Sequence, residues 1–461
     1  LILDPATRER IARSPRRAAF YCGAVASLAE SLAARGTRLI VRRGPAGATL
    51  KRLARQLRAE TVVWSSAYDA AGLDAQRRLQ TALEEAGLRA HGVHDAPAVP
   101  PEETADARSG GEGTGYRAFR AFLQAWEPAV PAPLSAATGF ALEADLLGFA
   151  SEALPEPAEF GIPVDEVASE PDAAPPSEAR ARAAFEAYLA GPVLLYLGAR
   201  NVPAEATSGL SAALSFGTLS ARTAAARVGE RLRDRFLLSE ERLSLEAFRR
   251  ALALRDFFLQ LSWFFERRPG DPLQMRMRGF PFAKSHPALA AWRAGRTGFP
   301  LVDAGIRELR ATGRMHPRAR TIAASFLCFD LGVDWKVGRD AWDSELVEDD
   351  PALADGNWQW VAGVGADLAQ FPRIYNPRKQ ARAVDPRGTY VRRWIPELAS
   401  FPAPQLLEPV PSGRRAQLSL DLFGADAYPA PVVDHEAAAR SFLKRYAAFT
   451  GAPPGPRQAA D

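Results

Sequence analysis

Four carboxylates crowd one short stretch, Glu345, Glu348, Asp349 and Asp350, and arginines surround it in sequence at Arg314, Arg318, Arg320, Arg373, Arg378, Arg392 and Arg393. Six of the nine tryptophans lie between Trp292 and Trp394, with Trp358-Gln359-Trp360 as their densest run. Clustered carboxylates can hold a hard divalent cation for phosphoryl transfer or strand cleavage. No phosphate-loop lysine or neighbouring histidine accompanies them, which weighs against that chemistry. The same carboxylates can instead partner guanidinium groups in a buried cofactor pocket, where each charge needs its counter-charge. Acids, arginines and indoles this close together favour such a pocket, opening onto a basic surface. A second candidate is Thr207-Ser208-Gly209-Leu210-Ser211, where hydroxyls and a glycine precede a helix-forming stretch. Its hydroxyl and backbone N–H groups suit phosphate oxygens, although an ordinary helix cap has the same composition.

The elements around these residues fall into two regimes. Up to about residue 95, short apolar runs alternate with amphipathic helices: Leu1–Leu3, Leu39–Val41, Thr61–Trp64 and a strand starting at Gly92-Val93 are separated by helices. The first helix is capped by Ser14-Pro15 and stopped by Gly36, and the third runs from Leu73 to Ala86. Repeated βα units predict an α/β domain with a doubly wound parallel sheet. No Gly-x-Gly-x-x-Gly follows a strand, so the ordinary dinucleotide fingerprint is missing. His91 and His94 are expected on opposite faces of the fourth strand, poorly placed to share a metal.

A helix over Tyr116–Trp126 closes this domain, which spans 1–127. A proline- and acid-rich connector follows over 128–176. From 177 to 461 the pattern is all-α, with helices expected over Ala179–Leu189, Ser220–Phe236, Leu245–Arg267, Pro300–Thr312, Arg318–Leu331 and Glu436–Phe449.

The chain has 461 residues, 47% of them hydrophobic and 24% charged, and no apolar run near the length of a membrane span. The net charge of +4 conceals an asymmetry. Between Arg120 and Arg180 there are eleven acids and no basic residue, so the remainder carries an excess of fifteen positive groups. An anionic partner such as nucleic acid suits that remainder. Cys22 and Cys328, the two cysteines, lie far apart, as expected of a reducing cytoplasm. With Leu1-Ile2-Leu3 at the start and no initiator methionine, a preceding piece is expected to be missing.

Further motifs combine with the hydroxyl loop: Leu214 to Ser220, Gly298-Phe299-Pro300-Leu301-Val302-Asp303-Ala304-Gly305, Gly313-Arg314-Met315-His316, Ala324-Ser325-Phe326-Leu327, Asp334-Trp335 and Asn357-Trp358-Gln359-Trp360. With Arg373-Ile374-Tyr375-Asn376-Pro377 and Tyr390 to Leu398, the pattern resembles the DNA photolyase/cryptochrome family, nearest to its class I cyclobutane pyrimidine dimer photolyases. The likeness runs from about residue 1 to 449 and is most specific over 297–398. It implies an N-terminal antenna domain, lacking its first strand–helix unit, and a helical domain that holds FAD. Tyr196 and Thr207, Ser208, Gly209, Leu210 and Ser211 then fall on the flavin phosphates. Phe248, Arg255, Arg320, Glu348, Asp349 and Asp350 fall around the rest of the cofactor. Trp358 and Trp335 resemble the inner and middle members of the family's electron-hopping chain, because an indole can be oxidised transiently and close rings pass charge in short steps. Arg200, Arg318, Arg373 and Asn376 fall on DNA backbone contacts, and Trp360 on the lesion. The resemblance implies light-driven repair of pyrimidine dimers in DNA by a monomer, with a folate or deazaflavin antenna as a further expectation.

Several positions depart from the family pattern. A Glu and a Trp that usually hold the dimer are Ala251 and Leu254, which offer neither a hydrogen bond nor a flat ring. Pro317 and Thr321 replace usual residues beside Arg320, Ala354 replaces the polar group opposite flavin N5, and Gly209 replaces an arginine of the phosphate loop. Glu348 is the first acid of an Asp-x-Asp pair. Ala283, beside Phe282, stands where the surface tryptophan of the electron chain belongs, so photoreduction through Trp335 and Trp358 is expected to be poor. The alternative to repair is a cryptochrome-like light sensor or DNA-binding relative.

Overall fold

The computed structural model describes residues 1–105, 114–132, 149–163, 176–205, 207–265, 270–366, 371–407 and 428–451. Much of the proline-rich connector, including Pro133, Pro171 and Pro175, lies outside the described residues. The chain divides into two compact units. Unit 1 holds Leu1–Leu195, Ser208–Pro269 and Leu346–Leu353; unit 2 holds Tyr196–Thr207, Gly270–Glu345 and Ala354–Asp461.

Unit 1 begins with β1 (Ile2–Leu3), α1 (Pro5–Ala12), α2 (Pro15–Ala33), β2 (Arg42–Arg43), α3 (Ala46–Leu57), β3 (Thr61–Ser65), α4 (Ala70–Glu84) and β4 (Arg89–Val93). Helix starts follow local chemistry. Asp4 and Ser14 accept the backbone N–H groups of Thr7 and Arg17, each followed by a proline that has no amide hydrogen to leave unpaired. The described strands pair as two separate parallel ribbons, β1 with β2 and β3 with β4, rather than as the continuous sheet expected from the βα repeats. The expected strand at Leu39–Val41 is displaced to Arg42–Arg43. Leu1 N donates to Ile40 O at 2.8 Å, while Val41 N donates to the Ser151 hydroxyl at 2.9 Å and Val41 O accepts from Glu152 N. A side chain thus interrupts what would have been a regular ladder.

α5 (Phe119–Ala129) starts later than Tyr116. Gln260 occupies both backbone groups of Tyr116, accepting its N–H at 3.0 Å and donating to its carbonyl at 2.7 Å, so the residue cannot join a helix. α6 (Glu178–Ala190), α7 (Ala221–Arg231) and the 27-residue α8 (Ser239–Phe265) complete the unit. α7 stops short of the predicted Phe236, and α8 starts ahead of the predicted Leu245. α8 is the spine: Phe248, Leu252, Phe257, Phe258 and Leu261 are buried.

Asp256, also on α8, fastens the spine to its neighbours. Its Oδ2 accepts from the Trp126 indole at 2.8 Å and from the backbone of Ala98 and Val99. Burial pushes this carboxyl up to about 6 despite the neighbouring Arg255.

In unit 2 the described elements are helical, apart from isolated bridges such as that between Ala283 and Val333. They include α9 (Leu289–Ala294), α10 (Pro300–Thr312), α11 (Pro317–Ser325), α12 (Trp335–Asp343), α13 (Pro351–Val361, of which the part from Ala354 belongs here), α14 (Pro377–Val384), α15 (Thr389–Trp394) and α16 (His435–Thr450). α10 lies where the sequence puts it, between Pro300 at its first turn and Gly313 at φ 67° past its end. The helix expected over Arg318–Leu331 is not uniform: after Ser325 the chain widens into a buried π-turn over Phe326–Asp330. Such turns insert a residue and re-aim the side chains around them.

Candidate functional site

Unit 1 brings the hydroxyl loop, Arg255 and the acidic run together. Gly209 takes φ 64°, a left-handed turn that suits glycine, and Leu210 is buried beneath it. Ser208 is half-buried and Ser211 exposed. The short turn that follows is anchored twice: Leu214 O accepts from Arg255 Nη2 at 3.3 Å, and Ser215 Oγ accepts from Asp349 N at 2.9 Å.

Arg255 is 8% exposed and also donates to Ala96 O at 2.6 Å, with Asp350 Oδ2 at 3.5 Å. Burial pushes the Asp350 carboxyl up, and Arg255 opposes that rise. Asp349 faces Arg10, which donates from Nη2 at 2.6 Å, and the buried Arg17 lies 3.9 Å away. Arg17 further donates to the backbone carbonyl of Glu348 at 3.1 Å. Asp349 and Asp350 are therefore held by guanidinium groups, and among the described residues no trio of His, Cys, Asp or Glu gathers to hold a metal. Nothing in the sequence pointed to Arg10 and Arg17, because their partners lie more than 300 residues away.

Phe248 is buried with its ring 5.4 Å from that of Tyr188. Ala251 and Leu254, one turn apart on α8, are only half-buried and form an apolar face. His94 engages Tyr68 at 2.6 Å through Nδ1 and Glu102 at 3.2 Å through Nε2, so it serves a local polar cluster.

Unit 2 carries the tryptophans, Arg320 and the residues expected to meet DNA. Trp335 opens α12 and Trp358 lies in α13, with 1% and 4% exposure, whereas Trp360 is half-buried. The six-membered edge of Trp358 lies on the backbone of Gly338, where an added Cβ would come within 2.3 Å of it. Gln359 points elsewhere: it accepts from Leu273 N at 2.9 Å and donates to Asp271 O. Successive helical residues diverge by about 100°, so the Trp-Gln-Trp run serves three different neighbourhoods. Ala354 is half-buried and offers no polar group.

Tyr196 and Thr207 are half-buried. Burial raises the phenol pKa of Tyr196, opposed by Arg200. Arg200 and Arg373 are exposed. Arg318 donates to Asn201 Oδ1 at 2.6 Å, and Asn376 caps α14 by accepting from Arg378 N and Lys379 N. Arg320 Nε donates to Met315 O at 2.9 Å.

His316 precedes α11 and is 5% exposed; its Nδ1 accepts from Arg318 N at 3.1 Å. Burial, then the charges of Arg318 and Arg320, pull its pKa from 6.5 down to about 4. The neutral ring favours the fold fully above pH 6.5. As pH falls toward 4 the unfolded chain takes up the proton first, and stability drops by up to about 3 kcal/mol. Urea midpoints measured from pH 7.5 to 4.5 should therefore fall more steeply for the wild type than for His316→Gln. Parallel curves would exonerate this histidine.

Comparison with known proteins matches residues 1–138 to the family described as DNA photolyase, and residues 248–448 to the FAD binding domain of DNA photolyase. The deoxyribodipyrimidine photo-lyase of Halobacterium salinarum is 34% identical over 433 residues, covering 92% of this chain and 86% of that protein. Among solved structures, a bacterial class III photolyase from Agrobacterium tumefaciens is similar with a TM-score of 0.83 and 28% identity, over 98% of this chain and 91% of that one. A Synechocystis cryptochrome gives a TM-score of 0.80 and 28% identity, over 96% of this chain and 92% of that one.

Proposed function

Because this chain belongs to the DNA photolyase/cryptochrome family, as a photolyase-like lyase with FAD as its cofactor, we propose that it repairs cyclobutane pyrimidine dimers in DNA by light-driven electron transfer. The observation that carries this reading is the nearly full-length identity to named deoxyribodipyrimidine photo-lyases. No described helix is long and apolar enough to cross a membrane, and we take the protein to act as a monomer in the cytoplasm. The reading assigns 1–127 to the antenna domain, with a folate or deazaflavin as antenna, 128–176 to the connector, and 177–461 to the FAD-binding domain.

The donors present suit FAD. Ser208 and Ser211 offer hydroxyls around the left-handed Gly209, and the guanidinium of Arg255 adds a positive charge nearby, a donor set that favours phosphate oxygens. The family resemblance further assigns Leu210, Phe248, Glu348, Asp349 and Asp350 of unit 1 to the cofactor, and, within unit 2, Tyr196, Thr207 and Arg320. Gly209 makes the loop less positive than an arginine there would, and Ala354 gives the ring an apolar neighbour. When bound, the flavin supplies an electron to the dimer under blue or near-UV light, and the cleaved dimer returns it.

The chain's own residues bind, orient and exclude water. Trp360, half-buried, would supply the aromatic face on which a flipped base packs. Arg200, Arg318, Arg373 and Asn376 would hold the DNA backbone, fixing position rather than sequence. Ala251 and Leu254 contribute neither a hydrogen bond nor a ring to the lesion, so tight discrimination against undamaged DNA is not expected from that face.

Illumination of the FAD-loaded protein, reduced with dithionite, on a thymine-dimer oligonucleotide should restore the intact thymines, with no loss of dimers in the dark. A normal flavin band without light-dependent dimer loss would reject repair and leave the light-sensor reading.

A further inference from the structure

A cleft of about 330 Å³ opens within unit 2, lined by residues of α9, α10 and α12. Its floor is apolar and fixed. Ile306 and Leu309 are buried there, and the ring of Trp342 is stacked on that of Trp292, 6.0 Å apart with 14° between the planes. Charges of both signs stand around this floor. Arg293 of α9 and Arg310 of α10 are exposed, and their side chains make no hydrogen bond or ion pair with a described residue. Asp340 of α12 and Glu345 just past its end bring two carboxylates to the same cleft, Asp340 being paired with Arg339 at 2.9 Å.

Helix position accounts for the sign of the two arginines, since each lies in the last turn of its helix, where backbone carbonyls favour a cation. It does not account for two guanidinium groups that share a cleft with two carboxylates without closing onto them. A second group is also unanswered. The Nε1–H of Trp342 is buried and has no acceptor, a state that costs about 1–3 kcal/mol. Its stacked neighbour Trp292, by contrast, donates to Ala323 O at 3.0 Å.

We propose that this cleft binds a free nucleoside 5′-monophosphate whose base carries an exocyclic amine. Two guanidinium groups suit a phosphate, to which each can donate in pairs. The carboxylates repel a bare phosphate but accept from an amine, as Asp and Glu accept from cytosine N4 in a DNA groove. The flat base covers the apolar floor, and a ring nitrogen or carbonyl gives the Trp342 N–H its acceptor. The volume lies at the lower end of the range for small-molecule sites, about 300–1,000 Å³, and suits one nucleotide better than a dinucleotide. The site shares no residue with the flavin reading and does not depend on it.

Isothermal titration calorimetry with cytidine 5′-monophosphate, in excess FAD so that no flavin site takes up the probe, tests the proposal. Saturable binding at one site is expected below about 1 mM. Cytidine, which lacks the phosphate, and uridine 5′-monophosphate, which lacks the amine, should each bind about tenfold more weakly or worse. Arg293→Ala and Arg310→Ala should weaken the cytidine nucleotide by about tenfold each. Both side chains are exposed, so the two variants should keep the wild-type far-ultraviolet circular dichroism and flavin-to-protein absorbance ratio. Absence of saturable heat would overturn the proposal, as would wild-type affinity in both arginine variants. Equal binding of inorganic phosphate, or of the uridine nucleotide, would also overturn it, by reducing the cleft to a plain anion site or removing the role of the amine. Loss of flavin from the wild type with nucleotide binding intact would reject the flavin reading and leave this site standing.

Discussion

Replacing Arg255 with alanine is expected to lower the free energy of unfolding by about 3–5 kcal/mol and to abolish retention of flavin through purification. The guanidinium is nearly enclosed and serves Ala96 O, Leu214 O and the Asp350 carboxylate at once. Removing it leaves two carbonyls without their donor and a buried carboxylate without its counter-charge. Asp350, whose pKa burial already raises, would respond by taking up a proton. The turn carrying Ser215 and the hydroxyl loop would lose one of its two anchors at the same time. Arg255→Lys should recover only part of the loss, since a single ammonium cannot span three acceptors in different directions. Urea unfolding and the flavin-to-protein absorbance ratio are the measurements. Wild-type stability in Arg255→Ala would contradict the packing described.

A second large effect is expected in unit 2. Asp303→Ala should cost about 4–6 kcal/mol, read as a shift in urea midpoint. Asp303 is fully buried; Oδ1 accepts from Thr297 N at 2.8 Å and Thr297 Oγ1 at 2.7 Å, and Oδ2 from Gly298 N at 3.0 Å and Tyr428 Oη at 2.5 Å. Four donors would lose their acceptor inside the fold. Gly298 cannot swing out to water cheaply, because it sits at φ 79° with the backbone of Ala430 where its Cβ would be. Asp303→Asn should be milder, since the amide oxygen still accepts, though its NH₂ would face a donor. A loss below about 1 kcal/mol in the alanine variant would mean that the turn relaxes and finds water.

Asp303 illustrates what sequence could and could not convey. It belonged to a recognisable motif, yet its role depended on Tyr428, 125 residues further on. Trp342 shows the same limit: in sequence it is one of six clustered tryptophans, and only packing set its ring between Trp292 and Trp358. Tyr116 looked helical by composition, until a glutamine from α8 claimed its backbone.

By itself, the sequence determined whatever short-range chemistry controls. Ser14-Pro15 and Pro300 start helices because a missing amide hydrogen is harmless there, and Gly313 ends one because it accepts positive φ. The motifs from Thr297 to Leu398, with the hydroxyl loop, were also enough to point to a family and its cofactor. Tertiary structure alone decided which acid meets which arginine: Arg10 and Asp349 pair across 339 residues. It also decided that β2 falls at Arg42–Arg43 and that Trp342 packs between Trp292 and Trp358. Charge pairing, ladder register and ring contact are properties of closure between distant segments, and no local pattern encodes which segments will meet.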